Sequence, residues 1–231
     1  MSKLILDKSI KALVFDMAGT TVNEGGLVYK TLYKTISNFG LNINSEKDIT
    51  PWHGSNKYEV LDHFLRESVI KKSYFKELQP SLHKVFETNL INSYSDSNNL
   101  SLIHKNLPEH FNNLRENGVK IFLNTGYSCD IQESIIESLN MKEFIDDYIS
   151  SEQVPKGRPR PFMIDKLMMN NNINFTSQVI KFGDTPNDIK EGINAGCYQS
   201  VGVLSGASDY NTLYKAGARK IIDSVMDIKL Q

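Results

Sequence analysis

Short apolar runs punctuate the chain, and each gives way to polar residues where the run stops. Ala12-Leu-Val-Phe15 leads into Asp16, and Val119 to Thr125 ends in a hydroxyl residue. Tyr148-Ile149 leads toward the loop Val154-Pro-Lys-Gly-Arg-Pro-Arg-Pro161, and Val179 to Phe182 into Gly183-Asp-Thr-Pro-Asn-Asp188. Runs this short without polar alternation predict strands buried on both faces. Ser200 to Val203 and Lys220 to Ile222 predict two further short strands. Between the strands, helices are predicted over Pro108 to Asn117, closed by Gly118, over Asp130 to Leu139, from Phe162, and from near Pro186, a residue suited to a first helical turn. Strands alternating with helices predict an α/β fold with a parallel sheet covered on both faces.

One region departs from this alternation. Leu27, Val28, Leu32, Ile36 and Phe39 approximate helical spacing, a break is predicted over Asn42 to Pro51, and a second helix from near Ser55 through Leu65. A third is predicted over Ser73 to Leu90, with Pro80 ending or kinking it. Asn23-Glu-Gly-Gly26 and the polar stretch Ser93 to Asn99 read as joints on either side. The expected organisation is a core of residues 1–22 and 99–231, with an all-helical insert over 23–98 following the first strand.

Composition narrows the function classes. The chain has 231 residues, enough for a sizeable core, and a formal net charge of -1 leaves no electrostatic footprint for nucleic acid or an acidic membrane. No apolar run is long enough to span a bilayer, and the N-terminus lacks a signal-peptide core. Cys129 and Cys197 have neither metal-ligand spacing nor a disulfide framework, so a cytoplasmic protein is expected.

Parallel strands would bring Asp16, Thr125, the loop with Arg158, and Asp184 with Asp188 to one edge of the sheet, where chemistry sits in open α/β folds. The set offers a nucleophilic carboxylate, a hydroxyl, a cation and two acids for a hard metal such as Mg²⁺, which suits phosphoryl transfer. Each piece also has a plainer reading: a satisfied strand end for Thr125, a surface cation for Arg158, a first-turn acid for Asp188.

Asp16-Met-Ala-Gly-Thr-Thr21, Asn124-Thr-Gly-Tyr127, Lys156-Gly-Arg-Pro159 and Gly183-Asp-Thr-Pro-Asn-Asp188 together resemble the haloacid dehalogenase superfamily over nearly the full chain. The resemblance implies a Rossmann-like core with a helical cap inserted after the first motif. It further implies an aspartyl-phosphate at Asp16, phosphate binding at Thr125, and Mg²⁺ held by Asp16, the Ala18 carbonyl, Asp184 and Asp188. Most phosphatases of that superfamily carry an acid/base aspartate where this chain has Ala18, and a lysine where it has Arg158, with Lys156 nearby. Both departures look like the phosphonatases. Lys57, in His53-Gly-Ser-Asn-Lys57, matches their Schiff-base lysine, but Val60 stands where they carry a histidine; His53 is a candidate substitute. Gly126, Tyr127 and His53 are expected to contact substrate, and Trp52 either does so or anchors the helices.

The expected activity is Mg²⁺-dependent cleavage of a small phosphonate or phosphate metabolite, with a small-molecule phosphatase as the alternative. Related phosphonatases make a homodimer conceivable by analogy. A phospho-aspartate receiver and a catalytically silent binding protein are the readings from other classes.

Overall fold

A computed structural model describes residues 3–68, 72–94 and 100–231. In chain order the strands are β1 (Leu4–Ile5), β2 (Ala12–Asp16), β3 (Val22–Asn23), β4 (Ser101–Leu102), β5 (Lys120–Thr125), β6 (Asp147–Ser150), β7 (Val179–Gly183), β8 (Gln199–Val203), β9 (Lys220–Ile222) and β10 (Ile228–Lys229). The α-helices are α1 (Leu27–Asn38), α2 (Lys57–Ser68), α3 (Lys72–Tyr94), α4 (Leu107–Glu116), α5 (Cys129–Ser138), α6 (Phe162–Asn170), α7 (Pro186–Asn194) and α8 (Tyr210–Lys215).

The expected parallel sheet is present, six-stranded, in the order β6-β5-β2-β7-β8-β9. Its central strand β2 is buried at every residue. Side chains alternate between the two faces: Leu13 and Phe15 enter one apolar cluster, Ala12 and Val14 the other, beneath Met163, Ile164 and Leu167 of α6. Phe15 stacks between Phe111 and Phe182, with ring centroids 4.8 and 4.7 Å away. Full burial of such a ring stabilises the fold by roughly 1.5–3 kcal/mol. In the register, Asp16 lies opposite Asn124, Thr125 opposite Ser150, and Phe15 opposite Phe182. Parallel pairing therefore delivers the polar strand ends to one edge.

Helices α1, α2 and α3 pack on one another through residues a turn apart: Val28, Leu32 and Ile36; Val60, Leu61 and Leu65; Leu82, Phe86 and Leu90. Pro80 does not end the third helix, which runs through it. Lys76 and Pro80 are both exposed, so water can donate to the carbonyl that proline leaves without an N–H partner. The expected break at Asn42 to Pro51 contains a 3₁₀ segment, Glu46–Trp52, opened by a reciprocal Ser45–Asp48 capping box. Ser93 and Tyr94 belong to α3 instead of a joint, because Tyr94 is buried; residues 95–99 of the expected joint lie outside the described residues. Where the chain enters and leaves the helical region, β3 and β4 pair antiparallel, Asn23 opposite Ser101. Sequence reading also missed the parallel pair β1–β10, too short at two residues each to show periodicity. Among the described residues, no helix is long and apolar enough to cross a membrane.

Candidate active site

Asp16 ends β2, and the chain then turns back on itself. The Met17 carbonyl accepts from the backbone N–H groups of Thr20, Thr21 and Val22, while Gly19 adopts a φ of 77°. A side chain at Gly19 would strike Asp184, its Cβ 2.6 Å from Oδ2; at Gly206 the corresponding distance is 2.0 Å. These glycines let two loops close around the Asp184 carboxyl, which also accepts from the Ala207 N–H at 2.6 Å. Thr185 caps α7 in a reciprocal capping box with Asp188, fixing Asp188 on the first turn.

Arg158 reaches the same point from the loop after β6, and exposed Lys156 does not. Its guanidinium donates to Asp16 Oδ1 at 2.6 Å, to Glu191 Oε2 at 3.0 Å and to the Asn124 carbonyl at 2.8 Å, and its Nη1 lies 3.1 Å from Asp188 Oδ1. Lys181, in the middle of β7, is wholly buried and lies 2.9 Å from Asp188 Oδ1. Buried carboxylates need such partners. Burial pushes the Asp16 carboxyl up despite Arg158, and burial with the charges of Asp16 and Asp188 pushes Asp184 well above the usual range. Burial works against ionisation of Asp188 too, but Arg158 and Lys181 outweigh it and hold its pKa down.

Three acids of this network are close enough together to hold a cation. Oxygens of Asp16, Asp184 and Asp188 lie within 4.8 Å of one another. Asp188 Oδ1, although close to two cations, makes no directed hydrogen bond. Four buried carboxyl groups (Asp16, Asp184, Asp188 and Glu191) outnumber the buried cations Arg158 and Lys181 beside them, so a further cation would favour their ionised forms. An all-oxygen donor set of this kind suits Mg²⁺.

The helical region closes over the site through residues 53–57. Asn187 on α7 donates to the His53 carbonyl at 2.8 Å and to Ser55 Oγ at 3.1 Å, and Asn56 donates to Ser151 Oγ at 2.8 Å. Gly126 packs so closely beneath this loop that a Cβ would lie 2.6 Å from the Ser55 carbonyl oxygen. Lys57, first residue of α2, is buried. Its Nζ donates to the Ser55 carbonyl at 2.9 Å and sits over the Tyr29 and Tyr127 rings, 5.1 and 5.7 Å from their centroids. Burial lowers its pKa to about 8, with Asp16 and Glu24 opposing that fall and Arg158 adding to it. His53 stacks on Tyr29 at 3.8 Å, and burial together with the Lys57 charge lowers its pKa to about 4, so it is neutral at pH 7.

A cavity of about 540 Å³ opens beside Ala18, Gly19 and Asp184 and is walled on the helical side by Glu24, Tyr29 and His53. Asp16, Arg158 and Asp188 are thus in direct contact, Asp184 and the Ala18 turn adjoin them, and His53 reaches the cavity wall. Thr125 is buried one residue beyond the Asp16–Asn124 pair and accepts from the Tyr127 N–H at 3.2 Å. Lys57 and Tyr127 are not among the residues that line this cavity. Sequence reading missed Lys181, Glu191, Asn187 and Glu24. Lys181 had a signal, a charge inside an otherwise apolar strand. So did Glu191, three residues after Asp188 and hence on the same helical face. Asn187 and Glu24 had none.

Comparison with known proteins places the chain in a family. Residues 13–203 match the family model of haloacid dehalogenase-like hydrolases. A phosphonoacetaldehyde hydrolase of Bacillus cereus (strain B4264) is 30% identical over 207 residues, covering 87% of this chain and 78% of that protein. The crystal structure of a phosphonoacetaldehyde hydrolase-like protein from Oleispira antarctica superimposes with a TM-score of 0.79 at 23% identity, covering 98% of this chain and 92% of that one. A β-phosphoglucomutase from Clostridium difficile has the same TM-score, 0.79, at 20% identity, over 95% and 93% of the two chains, a likeness of fold. The chain belongs to the haloacid dehalogenase-like hydrolases, as a phosphonatase-like member.

Proposed function

We propose that the protein hydrolyses a small phosphonate bearing a carbonyl group, with phosphonoacetaldehyde as the first compound to test. The observation that carries this reading is Lys57: a buried amine with its pKa lowered to about 8, at the start of a helix held against the Asp16 edge. An amine of that kind is neutral often enough near pH 7 to attack a carbonyl carbon.

In this reading residues 23–98 form a cap that excludes bulk water from the site. Lys57 condenses with the aldehyde, releasing water and leaving a protonated imine. Asp16 attacks phosphorus as the C–P bond breaks, its electron pair passing into the imine to form an enamine. Water then hydrolyses the aspartyl-phosphate. Arg158 orients the Asp16 carboxylate, Thr125 binds the phosphoryl oxygens, His53 walls the cavity that takes the organic part, and Gly126 and Tyr127 position Lys57 beside it. Asp16, Asp184, Asp188 and the Ala18 carbonyl would hold Mg²⁺, which offsets the charge gathered on the phosphoryl group.

A phosphate monoester is the second reading, favoured by the Lys57 ammonium donating to Ser55 instead of lining the cavity. Borohydride added during turnover of phosphonoacetaldehyde separates the two. The first reading expects inactivation and a mass adduct on Lys57, absent in Lys57→Arg. Phosphate release with no adduct would overturn it in favour of the second.

A further inference from the structure

Among the described residues, the buried charged side chains divide unevenly. Asp16, Arg158, Lys181, Asp184, Asp188 and Glu191 form the network at the sheet edge, which leaves Glu24 and Lys57. Glu24 follows β3, and Gly25 and Gly26, with φ of 60° and 71°, fold the chain so that its carboxyl returns to the start of α1. Glu24 Oε2 accepts from the Val28 N–H at 2.9 Å and from the Tyr94 hydroxyl at 2.8 Å. Tyr94 Oη lies 3.1 Å from Tyr127 Oη, and the Tyr127 ring is one of the two beneath Lys57 Nζ. A line of hydroxyls therefore joins the Glu24 carboxyl to the ring on which the amine rests, and Glu24 and Tyr29 also face the cavity beside Asp184.

We propose that Glu24, with the Tyr94–Tyr127 hydroxyl pair, is the proton donor and acceptor for carbonyl chemistry at Lys57. This rests on the Schiff-base reading above. Neutral Lys57 adds to the aldehyde carbon, and one of its N–H protons moves to the oxygen. The resulting hydroxyl takes the Glu24 proton and leaves as water with the C–O electron pair, while the nitrogen lone pair closes the C=N bond. Glu24 is left ionised facing the iminium cation; after C–P cleavage the enamine carbon takes up the proton released when water hydrolyses the aspartyl-phosphate, and hydrolysis of the iminium so formed returns the Glu24 proton. Burial raises the Glu24 pKa, against the pull of its hydrogen bonds and of Lys57, which favours the protonated, proton-giving form. The charged groups facing Lys57 are Asp16, Arg158, Glu24 and Asp188; those facing Glu24 are Lys57 and the hydroxyls of Tyr94 and Tyr127.

The plainer role for Glu24 is to cap α1, and Glu24→Gln separates the two because an amide oxygen still accepts from Val28 and Tyr94. Lys57 reactivity is read by peptide mass after acetic anhydride labelling, imine formation by borohydride trapping with phosphonoacetaldehyde, and folding by Tm. A protonated Glu24 and the amide that replaces it are both neutral, so at pH 7 Lys57 in Glu24→Gln should label at about the wild-type rate. Trapping should nonetheless fall at least about tenfold, the usual scale for loss of a general acid or more. Glu24→Asp, which keeps an acid, should recover part of the trapping rate, and serves if Glu24→Gln is poorly folded. Faster labelling with faster trapping would overturn the proposal, leaving Glu24 a purely electrostatic neighbour. A lowered Tm with both rates unchanged would also overturn it, leaving a helix cap. A wild-type protein that forms no adduct fails the Schiff-base reading and this proposal with it, whereas an adduct formed equally well by Glu24→Gln fails this proposal alone.

Discussion

The side-chain amide of Asn187 donates to the main-chain carbonyl of His53 at 2.8 Å, binding the loop before α2 to the helix that carries Asp188. Three residues past the strand-end acid Asp184, this amide couples the helical region to the carboxylate site. Asn187→Ala removes this bond and the one to Ser55, each worth about 1 kcal/mol. The expected result is a fall in kcat/KM of about tenfold, with Tm changed by only a few degrees. Unaltered kcat/KM would show that the contact does not contribute to catalysis.

Asp16→Asn keeps the size of the side chain and leaves Arg158 paired with Asp188 and Glu191. It should abolish phosphate release while far-UV circular dichroism and the melting transition remain those of a folded protein. Mg²⁺-dependent turnover persisting in this variant would remove Asp16 from the role of nucleophile.

Crowded carboxylates repel, and a divalent ion relieves that repulsion only in the folded state. Mg²⁺ should therefore raise Tm by several degrees, and chelation should abolish turnover until Mg²⁺ is restored. Asp184→Asn should lose the Mg²⁺-dependent part of the shift, since Asp184 is one of the three acids that converge. A variant that kept the full shift would place the ion elsewhere.

The Lys57 pKa is about 8, below its ordinary 10.5, because burial disfavours the ammonium. Its charge therefore penalises folding fully below pH 8, and the penalty fades as pH rises toward 10.5. Borohydride trapping in the wild type should follow the neutral amine, rising with pH and levelling off above about 8. Lys57→Met should remove the penalty and raise Tm at pH 7 while eliminating trapping. A trapping rate that did not change between pH 6 and 9 (roughly the span over which such an amine loses its proton) would contradict this assignment.

Gly126→Ala tests the closeness of the two regions. Its Cβ would meet the Ser55 carbonyl oxygen at 2.6 Å, nearer than atoms tolerate, so the loop over 53–57 must retreat. An activity loss of about tenfold or more is expected, because displacements near 1 Å are costly to catalysis. Wild-type kinetics in this variant would mean that the loop need not pack so tightly.

The sheet was legible because each strand was an apolar run with a polar stop, and parallel pairing converts such stops into a shared edge. Asp16 and Asp184 could be found in this way, and the structure puts them beside each other. Lys181 and Glu191 were legible in principle, the first as a charge inside an apolar strand, the second as an acid three residues after Asp188 on the same helical face. Pro80 misled because a local breaking tendency was weighed without knowing that its face of α3 meets water. Glu24 and Asn187 were illegible for a different reason: each acts on a partner distant in sequence, and nothing in their immediate neighbours announces it. Tyr94, taken for part of a joint, lies 70 positions from the carboxyl it serves.

Asn23 and Ser101 face each other across the β3–β4 ladder. The polypeptide thus departs from the catalytic platform and comes back to it through neighbouring rungs, so everything between is topologically a detour. Splicing those rungs with a tight two-residue turn would leave the path of every platform strand unchanged. A helical region fastened in this way can be exchanged for another of different shape while the sheet and the carboxylates at its edge stay as they are.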